Sequence, residues 1–165
     1  MDCLLFRHGI ARDRQDWKGE DEDRPLTDKG VTRTRQSGRG LLTLQVAPRH
    51  ILSSPLRRAR ETAEILQSLL PSKPKIQIRN ELAPEMAPRL LLSLLDTLPP
   101  DAVVWCIGHE PHLSTTAGIL LAGKSCAGLG LKKAGACLIH LGDAVRPTTG
   151  RLEWWLTAAQ LRALA

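Results

Sequence analysis

Short apolar runs alternate along the chain with longer stretches that carry apolar residues at helical spacing. DCLLF (2–6), HILSS (50–54) and VVWCIG (103–108) read as strands. VVWCIG has no polar alternation, as expected of a central strand covered on both faces. A short strand near 75–79 is expected to join them, and ACLIHL (136–141) and RLEWWLT (151–157) read as closing strands. Helices fill the intervals. Thr27 caps the first, Leu26 and Val31 staple its entry, and Leu41, Leu42 and Leu44 follow. Gly38 and Gly40 inside it each cost about 1 kcal/mol relative to alanine, which leaves the helix's length open. Ser54 as cap and Pro55 at the first helical position open the second, with Ala59, Ala63, Leu66 and Leu70 on one face. A helix over 87–97, one opened by Glu110-Pro111, and a short terminal one complete the series. This alternation predicts an α/β fold, a three-layer α/β/α sandwich around a mostly parallel sheet. No repeat, low-complexity tract or long linker divides it, so residues 1–165 are expected to form a single domain.

Composition narrows the class. A chain of 165 residues that is 42% hydrophobic is long enough to bury about 70% of its unfolded surface without covalent staples. The cysteines (Cys3, Cys106, Cys126, Cys137) form no CxxC or Cys/His cluster, and three sit in or beside apolar runs, so they read as reduced, buried thiols. No apolar run reaches 18 residues, and the stretch at MDCLLFRHG is too short for a signal peptide core. The expectation is a cytoplasmic protein without a membrane partner. The net charge is +6, with 23 Lys+Arg against 17 Asp+Glu. Residues 1–60 hold 13 and 8 of these and the remainder 10 and 9, so the excess lies in the first third. Nucleic acid, an anionic membrane surface and a small anionic substrate all suit a basic chain.

Candidate chemistry favours the anionic substrate. His8 follows the first strand and His109 follows VVWCIG, and the carboxyl ends of strands are where open α/β sheets bind ligands. Arg7 precedes His8, and Arg57, Arg58 and Arg60 crowd the start of the second helix. Arginines at a helix N-terminus make an anion site, because guanidinium forks add to unpaired N–H groups. Two histidines and two arginines converging on one tetrahedral anion suit phosphoryl transfer. A neutral imidazole can attack phosphorus and form a phosphohistidine. The arginines would neutralise the equatorial oxygens, and the second histidine would add charge or pass a proton. The scheme needs no metal or other cofactor. The histidines at 8, 50, 109, 112 and 140 lack HExxH spacing, so no metal site is expected.

Three motifs carry a family resemblance. Arg7-His8-Gly9 after the first strand, Ser54-Pro55-Leu56-Arg57-Arg58-Ala59-Arg60-Glu61-Thr62-Ala63 after the second, and Gly108-His109-Glu110-Pro111 after a later one resemble the histidine phosphatase superfamily, the phosphoglycerate mutase-like family. Pro25 to Gly30 also resembles the segment between the first two motifs, so the likeness spans essentially the whole chain. Small size, Asp21 to Thr27, Asn80 to Pro84, Leu131-Lys132-Lys133 and Leu152 to Thr157 resemble its SixA branch of phosphohistidine phosphatases. The resemblance implies a phosphoglycerate mutase-like fold with His8 as the phosphate-accepting nucleophile. It also implies that Arg7, Arg58 and His109 bind the phosphoryl group, and it selects Arg58 over Arg57 and Arg60.

One departure bears on substrate. Larger members of the superfamily place a proton-donating glutamate after a leucine downstream of the second motif, where this chain has Leu82-Ala83-Pro84. An alkoxide leaving from a phosphomonoester needs that proton more than an imidazole leaving from a phosphoramidate. The substrate implied is therefore a phosphohistidine-bearing protein of signalling or phosphocarrier type, with Arg24, Glu81 and Lys132 as further substrate-binding candidates. Two alternatives stand beside it. One is a phosphatase of small phosphomonoesters; the other is a non-catalytic phosphate- or nucleic-acid-binding module, disfavoured because few aromatics are available for stacking. Smaller expectations complete the reading. His112 should be half-exposed, His50 and His140 structural, and Trp17 a cover for its own loop. Trp154 and Trp155 should face opposite sides of their strand, and the acidic run GEDED (19–23) should solvate a loop.

Overall fold

In the computed structural model, which describes residues 1–165, six strands form one sheet: β1 (Asp2–Arg7), β2 (His50–Ser53), β3 (Ile76–Ile78), β4 (Val103–Gly108), β5 (Ala136–Leu141) and β6 (Gly150–Leu156). Their spatial order is β3-β2-β4-β1-β5-β6. β1, β2, β3 and β4 pair parallel, whereas β5 runs antiparallel to both β1 and β6. The helices are α1 (Asp28–Thr43), α2 (Arg57–Ser68), α3 (Pro88–Asp96), α4 (His112–Ala122) and α5 (Ala158–Ala163), with 3-10 turns at Asp21–Asp23 and Asn80–Leu82.

Strand alternation assigns the two faces of the sheet. Cys3, Leu5, Val104 and Cys106 pack under α3 and α4 with Leu91, Leu95, Leu113 and Leu120. Leu4, Phe6, Trp105 and Ile107 pack under α1, α2 and α5 with Leu41, Ala59, Leu66 and Leu161. Each such leucine or phenylalanine contributes roughly 1.5–3 kcal/mol by leaving water, and two filled faces make the three layers the sequence predicts. Trp154 packs on one face and Trp155 on the other, across a register shift between Leu138 and Ile139 that re-aims the edge strand. All four thiols are free. Cys3, Cys106 and Cys137 are buried, and Cys106 and Cys137 are raised well above the ordinary thiol value, Cys106 chiefly by a hydrogen bond with Cys3 and Cys137 by burial.

The structure settles the length of α1 and moves the start of α2. α1 runs through Gly38 and Gly40, which let it approach its neighbours. A β-carbon at Gly40 would stand 1.7 Å from the Leu161 carbonyl oxygen of α5, and one at Gly38 would stand 2.6 Å from Leu69. Helix propensity yields there to packing. α2 begins at Arg57 rather than Pro55, and Leu56 occupies its cap position without a side-chain hydrogen bond. Ser54 is thereby released from capping for another contact.

Candidate active site

β2, β4 and β1 lie side by side and end at the same level. Arg7 pairs in register with Gly108, and Ser53 with Ile107. The His8 N–H donates to the Gly108 carbonyl and the Ser54 N–H to the Ile107 carbonyl, both at 3.0 Å. The sheet thus delivers Ser54, His109 and His8 to one edge, with the His8 and His109 rings 5.0 Å apart between centroids and tilted by 54°. His8 is buried, with 7% exposed, and His109 with 2%.

Local hydrogen bonds fix the His8 tautomer. Its Nδ1 lies 2.7 Å from the Gly9 carbonyl oxygen. A carbonyl only accepts, so Nδ1 carries the proton and Nε2 keeps its lone pair. The turn itself is anchored. Gly9 N–H donates to Thr62 Oγ1 at 3.0 Å, and the Thr62 hydroxyl donates to the Arg58 carbonyl at 2.7 Å. A β-carbon on Gly9 would meet Thr34 Oγ1 at 2.3 Å, so only glycine fits between His8 and α1.

His109 Nε2 lies 2.8 Å from Ser54 Oγ. That hydroxyl also accepts from the Leu56 N–H at 3.3 Å, and the other ring nitrogen, Nδ1, is buried without a protein partner. Burial lowers His8 to about 3, helped by the charges of Arg58, Arg7 and Lys133 against the opposing Gly9 hydrogen bond. Burial likewise lowers His109 to about 2, with His8, Arg58, His112 and Arg7 acting in the same direction. Neither ring is hydrogen-bonded or ion-paired to a carboxylate. Both imidazoles are neutral near pH 7.

The guanidiniums are held from behind. Arg58, 5% exposed, donates through NH1 to the Asp21 carbonyl at 2.8 Å and through NH2 to its carboxylate at 3.0 Å. Arg24 Nε reaches the same carboxylate at 2.9 Å. Burial raises Asp21, but the hydrogen bond from Arg24 and the charge of Arg58 outweigh it and hold the carboxyl below its ordinary range. Arg7 NH1 donates to the Leu131 carbonyl at 2.7 Å, while Leu131 N–H donates to Glu110 at 3.3 Å. Burial lowers both arginines, against the opposing charges of Glu110 on Arg7 and Asp21 on Arg58. Arg7 Nε, Arg58 Nε and His109 Nδ1 are buried without a protein partner. An unpaired buried polar group costs about 1–3 kcal/mol, and the two arginine Nε–H donors so placed suit a ligand rich in acceptor oxygens.

The remaining candidates separate. Arg24 is spent on Asp21 and on the Arg12 carbonyl at 2.6 Å, so it braces Arg58 rather than extending towards solvent. Glu81 lies half-buried in the Asn80–Leu82 turn, with no hydrogen bond or ion pair to the histidines. Lys132 is exposed on the loop that Arg7 clasps, next to Lys133. Arg57 pairs with Glu61 at 2.7 Å, and Arg60 is exposed. His112 is not half-exposed but buried, 2% exposed, because α4 starts at that residue and turns it inward; neither ring nitrogen has a partner, and burial lowers it against the opposing charge of Glu85. The acidic run does more than solvate its loop, since Asp21 is the counter-ion of Arg58. Trp17 donates to the Glu20 carbonyl at 2.8 Å and covers its own loop, as expected. No three His, Cys, Asp or Glu side chains gather as a metal ion would require, and no helix is long and apolar enough to cross a membrane.

An α/β sandwich that presents two neutral histidines, a buried arginine and a half-buried one at the carboxyl ends of parallel strands has the parts of a phosphoryl-transfer enzyme. The model of the histidine phosphatase superfamily (branch 1) matches residues 3–85, half of the chain, and the chain belongs to that superfamily. An uncharacterised protein of Picosynechococcus sp. is 42% identical over 146 residues, 87% of each chain. Among solved structures, the protein histidine phosphatase SixA complexed with tungstate superposes with a TM-score of 0.85 at 25% identity, over 98% of this chain and 99% of that one. A protein assigned as the SixA phosphohistidine phosphatase of Agrobacterium tumefaciens gives 0.79 at 22%, over 94% and 97%. A mycobacterial glucosyl-3-phosphoglycerate phosphatase shares the fold at 0.74 and 16%, over 94% and 99%. The chain is thus a phosphatase of this superfamily with a SixA-type, phosphoglycerate mutase-like fold.

Proposed function

We propose that this phosphatase removes the phosphoryl group from phosphohistidine on a protein, through a covalent intermediate on His8. The observation that carries the reading is the locked His8 tautomer, whose Nε2 lone pair is free between Arg7, Arg58 and His109. In the first step Nε2 attacks phosphorus. A P–N bond forms between His8 Nε2 and phosphorus, the P–N bond to the substrate imidazole breaks, and that imidazole takes its proton from solvent. In the second step water attacks the phosphorus, the bond to His8 breaks, and inorganic phosphate leaves while the water's proton passes to solvent or His109. Arg7 and Arg58 hold the equatorial oxygens throughout. The nucleophile needs no prior deprotonation, because burial already keeps it neutral.

Substrate choice rests on the leaving group. Neither His8 nor His109 is hydrogen-bonded to a carboxylate, and both rings are neutral, so neither serves as a strong acid for an alkoxide. An imidazole leaves with less help. The structural likeness to a protein histidine phosphatase supports the same class. The purified protein, with EDTA present, is expected to release phosphate from a phosphohistidine protein and to acquire an acid-labile phosphoryl label that is lost in His8→Asn. Full turnover by His8→Asn overturns the mechanism. An equal kcat/KM on a simple alkyl phosphate overturns the substrate assignment in favour of small phosphomonoesters.

A further inference from the structure

Beside Arg7, on the side away from His109's strand, a groove of about 440 Å³ opens between the Lys132–Ala134 loop, the first turns of α1 and the start of α5. Every charged residue that lines it is cationic: Arg33, Lys132, Lys133 and Arg162 join Arg7, Thr157 is the one neutral polar residue, and no carboxylate lines it. None of Arg33, Lys132, Lys133 or Arg162 takes part in an ion pair. The contrast within the molecule is direct. A larger groove of about 530 Å³ between α1 and α2 sets Arg12, Arg35 and Arg57 against Glu61 and Glu64, so its charges are partly balanced. The chain brings the uncompensated cations together from three distant segments, around residues 33, 132 and 162.

We propose that this groove seats an acidic segment of the protein that carries the phosphohistidine. The inference rests on the phosphohistidine reading above and names the feature of the substrate that the enzyme would recognise. Arg7 belongs to both the groove and the phosphoryl site, so an occupant of the groove is continuous with the reacting group. Four unpaired cations in a concave site focus a positive field and favour carboxylates. Ile10, Ala134 and Ala158 add apolar surface to the groove, which the side chains of a peptide would cover and a bare phosphate would leave exposed. No aromatic ring lines it, so stacking with nucleic-acid bases has no platform.

The test uses two phosphohistidine peptides of equal length, one with Glu and one with Gln at the two positions nearest the phosphohistidine, together with free phosphohistidine. For the unaltered protein, kcat/KM on the Glu peptide should exceed that on the Gln peptide by about tenfold, the scale of two favourable charge pairs. In Arg33→Gln/Arg162→Gln the ratio should fall to about one while turnover of free phosphohistidine is unchanged. Neither arginine makes a side-chain hydrogen bond or ion pair, so the variant should fold, and its melting temperature checks this. An unaltered ratio in the variant, or an equal loss on free phosphohistidine, overturns the proposal. So does a short DNA duplex that competes with the Glu peptide and loses affinity steeply with salt. Fluorescence anisotropy of the unphosphorylated peptides separates the two readings. Preferential Glu-peptide binding without phosphohistidine turnover overturns the substrate assignment and supports the groove.

Discussion

If burial keeps His8 and His109 neutral, the native state refuses two protons that the unfolded chain accepts, and stability must fall on mild acidification. The sign follows from linkage. A histidine whose folded value lies below its unfolded value of 6.5 contributes stability that is fully present above pH 6.5 and is lost as pH falls towards the folded value. His8 goes from 6.5 to about 3 and His109 from 6.5 to about 2. Between pH 7.5 and 5 each therefore withdraws about 2 kcal/mol, since the unfolded imidazole is then almost fully charged and the folded one is not. Carboxylates and other histidines add their own pH dependence, so the clean quantity is a difference. Urea unfolding of the protein and of His8→Asn at pH 7.5 and 5 should show the variant losing about 2 kcal/mol less across that interval. Asparagine can keep the donor to the Gly9 carbonyl, which limits other changes. Identical losses in the two proteins would refute a neutral, buried nucleophile and with it the argument that His8 attacks without prior deprotonation.

Three further outcomes follow from the site and its supports. Arg58→Lys loses the fork that spans the Asp21 carbonyl and carboxylate, and kcat/KM should fall about 100-fold or more with the melting temperature little changed. An unaltered kcat/KM would remove Arg58 from the phosphoryl site. His109→Asn should lower kcat/KM on phosphohistidine and on an alkyl phosphate to a similar degree, because a neutral His109 acts on the phosphoryl oxygens rather than as an acid; a markedly larger loss on the alkyl ester would show that His109 donates a proton to the leaving group. Gly40→Ala drives a β-carbon against the Leu161 carbonyl. Denaturant unfolding should show a loss of about 1–3 kcal/mol by overpacking, despite alanine's better helix propensity, and a gain in stability would disprove the close approach of α1 and α5.

Order and nature of the elements were legible because each carries its own period. VVWCIG and ACLIHL match β4 and β5 residue for residue, and Thr27 caps α1 through the Gly30 N–H as expected. That His8 and His109 meet at one edge of the sheet was legible for the same reason: strand ends can be read from the strands. The braces could not be read. Asp21 reaches Arg58 across 37 residues, and nothing in GEDED marks which acid turns inward. Ser54 stood where a helix cap was expected, and only the later start of α2 frees its hydroxyl for His109. The inward turn of His112 depends on the rotation of α4 against α3, which local spacing does not encode. The antiparallel pairing of β5 is likewise set by the loop that Arg7 clasps, which brings the chain back along β1 in reverse.

These braces explain how one site can hold two guanidiniums beside two imidazoles. Four cations in so small a volume would repel one another and resist burial. The protein keeps only two. Asp21 and Glu110 oppose the loss of charge on Arg58 and Arg7, while burial holds His8 and His109 neutral. On the proposed mechanism, a phosphoryl group with about two negative charges then meets about two positive ones and two neutral imidazoles. Such a site stabilises charge on the equatorial oxygens strongly and donates a proton weakly. That balance serves a bond whose leaving group is already a good one, and it is the physical reason to expect a phosphoramidate rather than an alkyl ester as substrate.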